Sequence, residues 1–245
     1  KTWTRLRAMT TADGVKWGPV REMRIPVNPN FGPQATRSGR LIISGNISFP
    51  WTDDPSGLTG WTMGGIYPPE MAGMSDDPAS FWRVQKRMGW PAGLCEGSFF
   101  QTDDGVIHML LRTTGPGYRG KLWITESRDD GVSWSAPVET PFGDNDTKFH
   151  FGRFPDGRFY YVGCPDSRNR GQRSPLVLSL SGDGRAFDRH FVIADEHYER
   201  GTEGLWKHGE YGYPHTVVHD GYMYVIVSRQ KEAMEVLRFS LGQVR

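Results

Sequence analysis

Glu96, Arg112, His150, Arg168, Arg170, Arg173, Tyr211, Tyr213 and His215 stand at the entrances and exits of apolar runs in the second half of the chain. Their types suit two kinds of chemistry. Guanidiniums present a planar fork of donors that fits a carboxylate through paired, charge-assisted hydrogen bonds. A phenol with a pKa of about 10 is a poor nucleophile until a neighbouring group takes its proton, and a glutamate can do that. Imidazoles add a second class of proton acceptor. Together these side chains suit an acidic ligand and a proton transfer made on it.

Something must bring residues so far apart in sequence to one place. "RSGRLIIS", "DDGVIHMLL", "PDGRFYYVG" and "HDGYMYVIV" each set a glycine turn before a β-rich apolar run, which is a hairpin signature. A second series interleaves with the first. "TTADGVKW" at 10–17, "SRDDGVSW" at 127–134 and "SGDGRAF" at 181–187 each place an aromatic residue three positions after an Asp-Gly turn. This is the Asp-box pattern, whose serine and aspartate side chains bond the turn's own backbone while the aromatic packs beneath it. "SDDPASFW" at 75–82 reads as a weaker copy with Pro78 at the glycine position. Gly131 lies 53 positions from both Pro78 and Gly184, so the pattern has a period.

An inner and an outer hairpin in each repeat make a four-stranded antiparallel unit, the blade of a β-propeller. The expected fold is all-β, one propeller domain over 1–245 with five or six blades. The first turn, at Gly14, lacks its inner hairpin, so the chain is expected to begin within a blade and to be N-terminally incomplete. Residues 66–74 and 195–210 read as irregular or partly helical.

Composition narrows the partners. The chain has 245 residues, 31 of them glycine and 17 proline, and a formal charge of +1. That balance supplies no global attraction to nucleic acid or an anionic membrane. No stretch approaches the roughly 20 apolar residues of a membrane span. The opening "KTWTRLRAMTT" does not read as a signal peptide. Cys95 and Cys164 lack metal-ligand spacing and read as buried thiols. Neither a metal nor a cofactor is expected.

The Asp-box turns with these residues resemble the sialidase (neuraminidase) superfamily, the BNR-repeat glycoside hydrolases. The resemblance covers roughly residues 94–240. It implies that Glu96 opens one blade and Arg112 ends its second strand. Arg173 precedes the third strand of the next blade, and Tyr213 opens the last one before an Asp-Gly hairpin. By that resemblance Tyr213 is the nucleophile and Glu96 its base, and Arg112, Arg173 and Arg170 bind a sugar carboxylate with His150 and His215 beside them. Glycosidases with a tyrosine nucleophile depart from the usual two-carboxylate scheme. "MRIP" offers Arg24 as a further carboxylate ligand, and "WTDDPSG" offers Asp53 or Asp54 as the acid. The implied protein is a secreted or periplasmic exo-acting hydrolase of an acidic glycan.

Two other readings use the same cleft. His150, His215, Tyr213 and an arginine are also the residue types of a propeller polysaccharide lyase or a related uronate- or rhamnose-cleaving enzyme. A glycan-binding propeller without catalysis is the third.

Overall fold

The computed structural model describes residues 6–23, 25–71, 78–91, 93–205 and 207–244. Strands β1 (Arg7–Ala8) and β2 (Arg21–Glu22) form a first sheet, and β3 (Gln34–Ala35), β4 (Leu41–Ile42) and β5 (Trp51–Thr52) a second. The third contains β6 (Gly93–Gln101), β7 (Ile107–Thr114), β8 (Lys121–Ser127) and β9 (Val138–Gly143). The fourth contains β10 (His150–Arg153), β11 (Phe159–Gly163), β12 (Leu176–Ser181) and β13 (Arg189–Ala194). The fifth contains β14 (Tyr211–His219), β15 (Tyr222–Arg229) and β16 (Ala233–Ser240). Each sheet is an antiparallel meander of consecutive strands, and two of the five reach the expected four strands among the described residues.

The hairpin glycines stand where the sequence places them. Gly105 and Gly157 turn β6 into β7 and β10 into β11 at φ of +86° and +93°, which an L side chain rarely adopts. Apolar runs then fill the spaces between successive sheets. Ile42, Phe49, Leu94 and Met109 pack between the second and third sheets. Phe100, Leu110, Phe151 and Phe159 pack between the third and fourth. Val162, Leu178, Met223 and Val225 do the same between the fourth and fifth. All six residues of β12 are buried, with Leu176, Leu178 and Leu180 on one face and Val177, Ser179 and Ser181 on the other.

The turn at 127–134 links two such sheets. Ser127 Oγ accepts from the Gly131 N–H at 2.8 Å and donates to Asp129 Oδ1 at 2.8 Å, which also accepts from the Ser133 N–H at 2.9 Å. Trp134 Nε1 donates to the Gly131 carbonyl at 3.1 Å, and its ring meets Phe49 edge-on at 4.8 Å. Gly131 has φ +88°, and a Cβ there would lie 2.5 Å from Ile42 Cδ1. Because Trp134 is only partly buried, its truncation to alanine should destabilise the fold by about 2 kcal/mol, below the loss for a fully buried aromatic. Urea unfolding checks this, and an unshifted midpoint removes Trp134 from the sheet–sheet contact.

One repeat marker is overturned. Residues 75–77 lie outside the described residues, and Pro78 opens an α-helix, α1 (Pro78–Met88). An acid followed by proline serves a helix start as well as a turn, since proline's missing N–H is no loss at the first helical position. Lys86 and Arg87 lie in the last turn, and Gly89 follows at φ +70°. The helix docks on β6 through Gln85, whose Nε2 donates to the Leu94 carbonyl at 3.2 Å. No helix among the described residues is long and apolar enough to cross a membrane.

Candidate functional site

Two bulges set the site's side chains. The β6–β7 register slips between Cys95 and Ser98, and the β14–β15 register slips between Gly212 and His215. Each slip contains a left-handed residue that is not glycine, Glu96 at φ +52° and Tyr213 at φ +56°. A bulge re-aims a side chain out of the pleat and is a frequent neighbour of active sites. The Glu96 bulge is fastened to the loop after β4, because its N–H donates to Asn46 Oδ1 at 3.2 Å and the Gly97 N–H donates to the Gly45 carbonyl at 3.1 Å. Asp146, before β10, and Arg173, before β12, are left-handed too, both at φ +55°. The remaining left-handed residues that are not glycine, Asp130, Asp220, Gln230 and Lys231, sit in turns between strands.

Glu96, Arg112, Asp146 and Arg170 meet in a charge cluster. Arg112 Nε lies 2.6 Å from Glu96 Oε2, an ion contact in which the N–H is not aimed at the oxygen. Arg112 Nη1 donates to Asp146 Oδ1 at 2.9 Å and to the Asp146 carbonyl at 2.6 Å. Asp146 Oδ2 accepts from Arg170 Nε at 2.9 Å and Nη2 at 2.7 Å. Behind it, Asp144 Oδ1 accepts from the Asp146 N–H at 2.8 Å, while Oδ2 accepts from the Thr113 N–H at 2.7 Å and Oγ1 at 2.9 Å. Burial pushes the Asp144 carboxyl up to about 7 against those donors. Arg112 and Arg170 therefore converge as the sequence suggests, but onto a carboxylate of the same chain.

Arg173 differs. It is 7% exposed, and among the described residues no carboxylate pairs with its guanidinium. Its backbone is fixed by Asn145 Oδ1, which accepts the Arg173 N–H at 3.1 Å, and by the Tyr211 N–H, which donates to the Arg173 carbonyl at 3.0 Å. A Cβ at Gly209 or Gly212 would lie 2.5 Å or 2.7 Å from its side chain, so glycine is needed on both sides. The guanidinium carbon sits 5.3 Å from the centroid of the Tyr213 ring, with Lys231 Nζ 5.4 Å from the same ring. Tyr213 is 38% exposed, and no hydrogen bond joins it to Glu96. A buried cation without a carboxylate beside an accessible phenol is left electrostatically uncompensated.

Other expected site residues have scaffold partners. Asp53 takes both Nε and Nη2 of Arg40, at 2.7 and 3.0 Å, and that guanidinium holds its carboxyl below the usual range. Asp54 closes its own turn, accepting from the Thr59 and Ser56 hydroxyls and backbone N–H groups, which hold it lower still. These donors favour the ionised form of both residues over the protonated form a general acid needs. Arg24 lies outside the described residues. Arg168 pairs with Asp166 at the surface, and Tyr211 is buried with its hydroxyl on the Glu196 carbonyl at 3.0 Å.

His150 is also a correction. It is 4% exposed, stacks between Phe31 and His215, both at 4.7 Å, and its Nδ1 accepts from the Thr216 N–H at 2.9 Å. It packs between the fourth and fifth sheets, which leaves almost none of the ring open to a ligand. Burial pushes it down to about 3, so the folded ring stays neutral while an unfolded one charges below about 6.5. Stability tied to His150 is thus present above about pH 6.5 and lost as pH falls towards 3, about 2 kcal/mol of it by pH 5. His150→Gln should flatten this loss when urea unfolding is compared at pH 7.5 and pH 5. Equal losses in both proteins assign the acid sensitivity elsewhere.

His215 keeps an open face. With Lys148, Phe31, Met23, Leu58 and Trp61 it lines a cavity of about 770 Å³. Lys148 sits 3.8 Å over the Phe31 ring, and burial pushes it down to about 8. The thiols of Cys95 and Cys164 are free and buried, and burial pushes each up to about 12. Among the described residues no three His, Cys, Asp or Glu side chains gather to hold a metal. Sequence reading missed Asp146 and Asn46. The only signal was "GDNDTKFH" just before a strand, since Asp and Asn tolerate left-handed backbone.

A model of the BNR repeat-like domain matches residues 1–225. No curated protein matches the sequence. Among solved structures, the NanB sialidase from Streptococcus pneumoniae has a TM-score of 0.67 at 17% identity, covering 97% of this chain and 36% of that one. A protein of unknown function from Dyadobacter fermentans has a TM-score of 0.63 at 16% identity, covering 95% and 62%. The Trypanosoma rangeli sialidase has a TM-score of 0.59 at 14% identity, covering 98% and 39%. At these identities the likeness is one of fold, and the chain spans between 36% and 62% of these structures' own length.

Proposed function

We propose, from the premise that the chain belongs to the BNR repeat-like domain family, that it is a sialidase-like exo-acting glycoside hydrolase for a carboxylate-bearing sugar. Its sheets would be blades of a propeller, with the site where their first strands converge. The observation that carries the reading is Arg173, a buried guanidinium without a carboxylate, set 5.3 Å from the ring of an accessible tyrosine. That two of the similar structures are sialidases supports it.

In this reading the substrate carboxylate docks on Arg173, which orients the sugar over Tyr213. The phenol oxygen forms a bond to the anomeric carbon as the glycosidic C–O bond breaks; the phenol proton passes to Glu96, and the departing aglycone oxygen takes a proton from solvent. Water then attacks the anomeric carbon, its hydroxyl staying on the sugar and its proton returning to solvent, while the released phenolate takes its proton back from Glu96. Arg112 holds Glu96 in place. The Tyr213–Glu96 hydrogen bond must form with substrate, as catalytic contacts commonly tighten only in the complex.

Fluorogenic glycosides test this. Umbelliferone should be released from a sialoside and not from a neutral galactoside. Absence of release with intact binding of free sialic acid makes the protein a glycan-binding module. Release of unsaturated uronate from an acidic polysaccharide restores the lyase reading, with His215 as base.

A further inference from the structure

We propose that Asp146 is a specificity-determining residue that keeps Arg112 and Arg170 closed to external anions, leaving Arg173 as the single open cation for a substrate carboxylate. This rests on reading the cluster as the carboxylate-binding end of the site. Arg112 contacts Glu96 and Asp146, and Arg170 contacts Asp146, whereas among the described residues Arg173 contacts no carboxylate, so the uncompensated cation is Arg173.

Asp146 stands as a substrate carboxylate would. One oxygen takes Arg112 Nη1 at 2.9 Å, and the other takes both Nε and Nη2 of Arg170, at 2.9 and 2.7 Å. Its side chain is 14% exposed, so these contacts are poorly screened. The position is fixed from behind, by the Asp146 N–H on Asp144 and by Thr114 Oγ1, which donates to Asp146 Oδ2 at 3.4 Å. The next residue back, Asn145, holds the Arg173 N–H, so the closed pair and the open cation share one loop. An incoming anion must displace a preorganised carboxylate of the same chain to reach Arg112 or Arg170, but displaces none at Arg173.

Inorganic sulfate is the probe, titrated by calorimetry against the whole chain. Asp146→Asn keeps the shape and the backbone contacts and frees Arg170, and sulfate should bind about tenfold tighter than to wild type. Asp146→Glu restores a carboxylate and should return to the wild-type value. Arg170→Gln added to Asp146→Asn should remove the gain. If the Asn variant does not fold, Asp146→Ser makes the same test. Unchanged or weaker sulfate binding in a folded Asn or Ser variant overturns the proposal. Cleavage of the sialoside is measured in parallel, and the two results separate. Tighter sulfate without cleavage upholds the role of Asp146 and sinks the hydrolase reading. Cleavage without tighter sulfate does the reverse.

Discussion

Tyr213→Phe should leave a folded protein that still holds an acidic sugar while its turnover falls by at least about a thousandfold. The substitution deletes one oxygen that makes no hydrogen bond among the described residues, on a ring 38% exposed, so stability should change by less than about 0.5 kcal/mol. The phenyl ring still faces the cations of Arg173 and Lys231. What disappears is the atom that would bond to the anomeric carbon. Single-turnover kinetics on the sialoside, with calorimetric binding of free sialic acid, separates chemistry from recognition. A variant that retains a tenth of the wild-type rate ends the role of Tyr213 as nucleophile.

Arg173→Lys should weaken binding of the acidic sugar by about a hundredfold and leave a neutral analogue nearly untouched. Lysine keeps the charge but loses the fork, and its ammonium ends short of the guanidinium's place between Gly209 and Gly212. Arg112→Lys should do less to sugar binding, because Arg112 is already shared by Glu96 and Asp146. Equal losses for acidic and neutral sugars on Arg173→Lys would indicate general damage to the site, not the loss of a carboxylate contact.

How much of this was legible beforehand depends on the range of the force involved. Turns are local: a Ser-Asp-Gly string fixes its own hydrogen bonds, and 127–134 folds as read. Alternation and doubly apolar runs are nearly as local, which is why strands such as β7 and β12 stand where the sequence places them. Helix α1 escaped because Asp-Pro serves a turn and a helix start equally, and packing on β6 decides between them. The site was half legible. Glu96, Arg112, Arg170, Arg173 and Tyr213 could be picked by type and position, but residue type does not disclose who neutralises whom. Arg40 claims Asp53 across a hairpin, and Asp146 claims two arginines across 34 and 24 residues. His150 looked like chemistry because imidazoles usually are, and only its burial shows that it is packing.

The left-handed backbone of the site has a consequence for how such a protein can change over generations. Glu96, Asp146, Arg173 and Tyr213 each occupy a conformation that glycine adopts freely and that costs other residues about 1 kcal/mol or more. Four such positions draw down a substantial part of a folding margin that is typically only about 5–15 kcal/mol. A lineage selected for heat tolerance alone would find its easiest improvements at these four residues and would lose the site by taking them. Drift released from any demand on these side chains would erase them before it erased the sheets.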